Sequence, residues 1–165
     1  MTDYASTTQE GKCLFCGITE GSVPARIFWE NDAFMAFLTP FPNCKGNTVL
    51  IPKRHVSSDV LAMPTEDLAA FVAAAQEVTE ILKTYFDDVG RVGLIMEGTG
   101  INHAHIKLYP MHGTEYMKSG EWKQIRSGVD TYFDTYTGYL SSNDGPKADE
   151  QELDELLEGL RNVYS

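Results

Sequence analysis

The amino-acid sequence predicts an α+β fold: a mostly antiparallel sheet of about five strands, one central helix and a C-terminal helix. Three observations carry this. β-forming runs and helical stripes follow one another as β-β-β-α-β-β-α, an order that suits antiparallel strands with helices laid on the sheet. One long segment, from Leu68 to Tyr85, repeats apolar residues every three or four positions. Residues 103–108 instead alternate with the period of two that belongs to a strand (His, Ala, His, Ile, Lys, Leu). At 165 residues and 42 % hydrophobic content, the chain is long and apolar enough for one domain with a real core.

Residues 1–11 are polar and read as a flexible tail. Arg26–Glu30 is rich in β-formers, Asn31-Asp32 supplies a turn, and Ala33–Leu38 follows as the second arm of a hairpin. Pro40 and Pro42 make the next stretch a loop, and Asn47–Ile51 is an apolar strand stopped by Pro52. Thr65 is placed as the N-cap of the long helix, with Glu66 and Asp67 in its first turn. Leu68, Phe71, Val72, Ala75, Val78, Ile81, Leu82 and Tyr85 form its stripe, and it ends near Asp87-Asp88. Strands over Arg91–Met96 and His103–Tyr109 are joined by the glycine-bearing turn Glu97–Gly100. The aromatic run 132–139 suits a packing cluster or a cover over a ligand. A terminal helix begins at Asp149, with Glu152 completing a capping box.

The net charge of −11 argues against a nucleic-acid backbone as main partner. No apolar run approaches the roughly 18 residues of a membrane span, and the N-terminus lacks the form of a signal peptide. The expected location is the cytoplasm. Three cysteines do not make a disulfide framework, and in a reducing compartment Cys13-Leu14-Phe15-Cys16 points to metal or redox chemistry.

In the alternating strand His103, His105 and Lys107 share one face, neighbours about 7 Å apart, while Ala104, Ile106 and Leu108 face the core. Two imidazoles and an ammonium in a row make a surface that can grip or attack a phosphate. The cysteine pair needs two further ligands for tetrahedral zinc. His55 and His103 are the first candidates, with Cys44 and His112 in reserve. A closed four-ligand site would be structural, tethering the N-terminal segment.

Four elements, in order, resemble the histidine-triad (HIT) superfamily of nucleotide hydrolases and transferases. They are Cys13–Ile18; Ala36-Phe37-Leu38 leading to Pro42; Gly46–His55; and His103-Ala104-His105-Ile106-Lys107. The resemblance implies a HIT-like domain over 12–113, with 114–165 as an extension whose terminal helix packs on the same domain. It implies that His105 is the nucleophile that attacks the α-phosphate and carries a nucleotidyl-histidine intermediate. It also implies one structural zinc per chain on Cys13, Cys16, His55 and His103, and a homodimer.

Three positions depart from the family pattern. The third triad histidine is Lys107, a histidine after the glycine of the third element is Asn47, and the acid that holds the ribose hydroxyls is Thr39. Lys107 can hold a phosphate oxygen or stabilise developing charge but is not matched to shuttle protons at neutral pH. Asn47 can donate to phosphate. Asn47, Thr39, Thr99 and Gly100 are the substrate-binding candidates. Leaving-group protonation falls to His112, just past the strand, or to solvent. The leading expectation is a HIT-family hydrolase acting on a nucleotide or other phosphate-containing small molecule. A nucleotidyl transferase or phosphorylase, and a non-catalytic zinc-containing module that binds a nucleotide or partner, are the alternatives.

Overall fold

The computed structural model describes residues 13–125, 149 and 151. The chain divides into two compact units, Met1–Trp122 and Lys123–Ser165, and the elements below belong to the first. They are α1 (Leu14–Thr19), β1 (Arg26–Glu30), β2 (Phe34–Leu38), β3 (Thr48–Pro52), α2 (Thr65–Tyr85), β4 (Val92–Ile95) and β5 (Ile106–Pro110). The five strands form one sheet in the order β1-β2-β3-β5-β4, every pair antiparallel. This is the α+β architecture that the element order predicts.

The hairpin forms as expected, and Asn31 explains its turn. Its Oδ1 accepts the backbone N–H groups of Ala33 (2.9 Å) and Phe34 (2.8 Å), so Ala33 belongs to the turn and the strand begins one residue later. Register shifts at Phe28 between the Ile27 and Trp29 pairs, a bulge in an edge strand.

The sheet buries both faces. Phe34, Ala36, Leu50, Ile106 and Leu108 pack with Phe71, Ala75, Val78 and Leu82 of α2. Phe34 and Phe71 stack at 5.2 Å between ring centroids. Burying a side chain the size of Phe71 is worth about 1.5–3 kcal/mol. On the opposite face Met35, Phe37, Val49 and Ile51 pack with Phe15 and Ile18 of α1.

Several local expectations shift. Thr65 is the first helical residue and makes no cap hydrogen bond; Pro64, in extended backbone, occupies the N-cap position. α2 ends at Tyr85 because Phe86 turns extended and buries its ring. Of the predicted stripe, Val72, Ile81 and Tyr85 are exposed, since the apolar arc is wider than the sheet it meets. α1 was not anticipated, as six residues are too few to show a helical period. Most important, β5 starts at Ile106, so His103 and His105 precede the ladder and are buried (0 % and 3 % exposed) under α1.

The first unit continues past residue 113. The Thr114 hydroxyl accepts the Gly90 N–H at 3.0 Å, and the Arg91 guanidinium lies 4.7 Å from the centroid of the Trp122 ring. In the second unit, Asp149 Oδ1 accepts the N–H of Gln151, a helical residue, as an N-cap would. The remainder of the expected terminal helix, the 1–11 tail and the 132–139 aromatic run lie outside the described residues. Among the described residues no helix is long and apolar enough to cross a membrane.

Candidate active site and metal centre

His55 and His103 are far apart in sequence, and three hydrogen bonds bring their loops together. The Ala104 N–H donates to the Val56 carbonyl (2.8 Å) and the Ser58 N–H to Asn102 Oδ1 (3.1 Å). His103 Nε2–H donates to the Pro52 carbonyl at 2.9 Å. Gly98 permits this approach: its φ is +66°, and a Cβ there would lie 2.6 Å from the Ser58 carbonyl oxygen.

A carbonyl only accepts, so the bond to Pro52 puts the His103 proton on Nε2 and leaves the Nδ1 lone pair directed at the cysteines. Nδ1 is 3.3 Å from Cys13 Sγ and 3.6 Å from Cys16 Sγ, and His55 Nδ1 is 3.4 Å from Cys16 Sγ. In a tetrahedral site with metal–sulfur bonds of about 2.3 Å and metal–nitrogen bonds of about 2.0 Å, the sulfur–nitrogen edge is about 3.5 Å. All four ligand atoms lie within 4.8 Å of one another, so Cys13, Cys16, His55 and His103 could hold a metal ion. Burial, with the Cys13 thiol alongside, pushes the Cys16 thiol up to about 11. A bound cation would hold it as thiolate. Burial also lowers the His103 pKa against its bond to Pro52, which favours the neutral, ligating imidazole. The reserve candidates Cys44 and His112 are not in this cluster.

His105 uses its ring differently. Nδ1–H donates to the His103 carbonyl at 2.8 Å, so in the neutral ring the lone pair is on Nε2. Burial lowers its pKa, the Lys107 charge adds to this, and the hydrogen bond to His103 opposes both. Phe15 of α1 stands edge-on to both rings, 5.7 Å from His103 and 5.6 Å from His105, so the segment that carries both cysteines also walls His105.

His105 lines a cavity of about 510 Å³ on the α1 side of the sheet. Lys107, Asn47, Thr39, Thr99 and Gly100 line it too, so six of the seven expected catalytic and substrate-binding residues meet there. His112 does not. Its Nε2–H donates to the Lys45 carbonyl (2.9 Å) and its Nδ1 meets the Asp88 carboxylate (3.0 Å), a clip between two loops. The Lys45 carbonyl, and then Asp88, raise its pKa.

Three residues went unread in the sequence. Glu97, only 13 % exposed in its side chain, forms an ion pair with Lys107. Tyr109 lines the cavity beside Asn47, whose Nδ2 donates to Asn43 Oδ1 at 2.9 Å. Tyr109 extends the His105, Lys107 alternation by one step, and that signal was available. Arg26 also lines the cavity, and nothing in its local sequence marks it.

An open antiparallel sheet carrying a buried His-x-His segment beside a two-cysteine, two-histidine cluster defines a histidine-triad type of domain. The HIT domain family model matches residues 20–114, and the chain belongs to that family. It is 31 % identical over 119 residues to an uncharacterized HIT-like protein of Methanocaldococcus jannaschii, covering 68 % of this chain and 91 % of that one. It is 26 % identical over 110 residues to the adenosine 5′-monophosphoramidase hnt1 of Schizosaccharomyces pombe, covering 67 % and 82 %. The crystal structure of SMU.412c from Streptococcus mutans has the same fold, with a TM-score of 0.61 at 24 % identity, covering 96 % of this chain and 89 % of that one.

Proposed function

We propose that the protein is a nucleotide-phosphate hydrolase acting through His105. Nε2 attacks the α-phosphorus, an N–P bond forms, and the bond to the leaving oxygen or nitrogen breaks with its electron pair. Water then cleaves the nucleotidyl-histidine. The observation that carries this reading is the Nδ1–H bond to the His103 carbonyl, which reserves the Nε2 lone pair for the cavity. Membership of a family that includes a monophosphoramidase agrees with it.

Two thiolates and two imidazoles suit zinc, and a closed site leaves no position for a reactive water. Zinc would therefore be structural, one per chain, fixing α1 against His103 and His105. The lining residues other than His105 offer little to activate water: Lys107 is ion-paired and Asn47 does not exchange protons. That favours a nucleotidyl transferase or phosphorylase as the second reading. The exposed Val72, Ile81 and Tyr85 on α2 support a homodimer, which light scattering in solution would test. The unpaired state of all three cysteines suits the cytoplasm.

Incubation with adenosine 5′-phosphoramidate tests the chemistry by mass spectrometry. A nucleotidyl adduct is expected on the wild-type chain and absent from His105→Asn. Turnover in water identifies the hydrolase, and turnover only with added phosphate or an alcohol identifies the transferase. If no adduct forms with phosphoramidates, dinucleoside polyphosphates or nucleotide sugars, the domain is a binding module.

A further inference from the structure

The charges around the cavity are unlike those of the chain. The sequence has 24 acidic residues and a net charge of −11, yet no Asp or Glu is among the described residues that line the cavity. Among the described lining residues the two charged ones are Arg26 and Lys107. Glu97 neutralises Lys107. The Arg26 guanidinium has no hydrogen bond or ion pair with another described residue. The uncompensated positive charge of the cavity therefore sits on Arg26, away from the reactive histidine.

Sheet topology sets how far away. Arg26 is on β1 and Lys107 on β5, with β2 and β3 between. Three strand steps separate their backbones by about 14 Å. The strands between them offer Phe37 and Val49 to the cavity, an apolar midsection that suits the body of a nucleoside. A free ribose diol would present two donors and call for a carboxylate. The described lining residues include none, Thr39 Oγ1 already accepts the Phe41 N–H at 3.2 Å, and Asn43 Oδ1 accepts from Asn47.

We infer that Arg26 is a specificity residue for a second phosphate on the substrate, carried on the ribose, on the far side of the nucleoside from the phosphorus that reacts at His105. The preferred substrate class is thus a ribose-phosphorylated nucleotide. This rests on the reading of His105 as the phosphate-reactive residue. An arginine fork meets a phosphate with two parallel hydrogen bonds, and Lys at the same place supplies only a point charge.

Calorimetric titration of the intact protein with adenosine 5′-monophosphate, adenosine 5′-diphosphate, and the 2′,5′- and 3′,5′-bisphosphates tests this. At least one bisphosphate is expected to bind about tenfold or more tightly than the monophosphate, the scale of one charge-assisted hydrogen-bonded pair. That gain shrinks as salt rises, falls to within about twofold in Arg26→Gln, and survives in part in Arg26→Lys. The charge-matched control Lys83→Gln, on α2, keeps the full gain. The inference is overturned if neither bisphosphate binds more tightly, if the gain survives Arg26→Gln, or if the diphosphate gains as much. A His105 adduct without any bisphosphate preference removes only the inference; no nucleotide binding and no adduct removes the proposed function as well.

Discussion

His55→Ala is the cleanest test of the metal staple, because His55 is exposed and its removal opens no core cavity. A metal joining His55 to Cys16 closes a loop of 39 residues. Treated as a cross-link on the unfolded chain, a closure of that length contributes about 4 kcal/mol. For a chain of this size, each kcal/mol moves the melting temperature by about 2–4 °C. The variant is thus expected to melt about 10 °C below the zinc-loaded wild type in scanning calorimetry. Chelator-stripped wild type should fall by a similar amount, and the variant should respond little to chelator. Both losses should come with a drop from one zinc per chain, read by elemental analysis. If wild-type protein shown to be metal-free melts where the loaded protein does, the cluster holds nothing together and the staple is refuted.

Two further outcomes follow from ionisation. Glu97 raises and Lys107 lowers the His105 pKa, so Glu97→Gln should leave Lys107 unopposed and lower it further. The acid limb of the pH–rate profile for adduct formation should move to lower pH, and a move upward or none would remove Glu97 from the site. His112 is the opposite case, with its folded-state pKa raised by the Lys45 carbonyl and Asp88. Its stabilisation is complete below the unfolded value of about 6.5 and lost as pH rises through the higher folded value. The gap in melting temperature between wild type and His112→Ala should be widest near pH 5.5 and close toward pH 8.5, and a gap that widens with pH would contradict the clip.

Local signals were legible where the physics is local. Hairpin, central helix and element order follow from turn residues and apolar periods that tertiary contacts only trimmed, as at Thr65 and Ala33. The zinc candidates, His105 and the cavity-lining Thr39, Asn47, Thr99 and Gly100 were reached through short motifs. The resemblance to the triad pattern, and not spacing alone, divided the histidines between metal and phosphate.

Tertiary structure decided what those motifs face. The alternation placed His103 and His105 on an open strand surface, but α1 covers them, because Phe15 and Ile18 complete the apolar layer over β2 and β3. Their unlike tautomers come from two carbonyls, Pro52 and His103, whose positions depend on loops meeting across the fold. Lys107 is a cation in sequence and half of an ion pair in space, since the segment just after β4 delivers Glu97 to it. His112, two residues beyond the strand, turns away to bind Asp88 and Lys45. Arg26 lines the cavity from the edge strand β1, which pairing with β2 brings to the same face. By itself the sequence determined which reactive groups the protein owns; pairing, burial and proton position arise from residues distant in the chain, and those only the folded structure could assign.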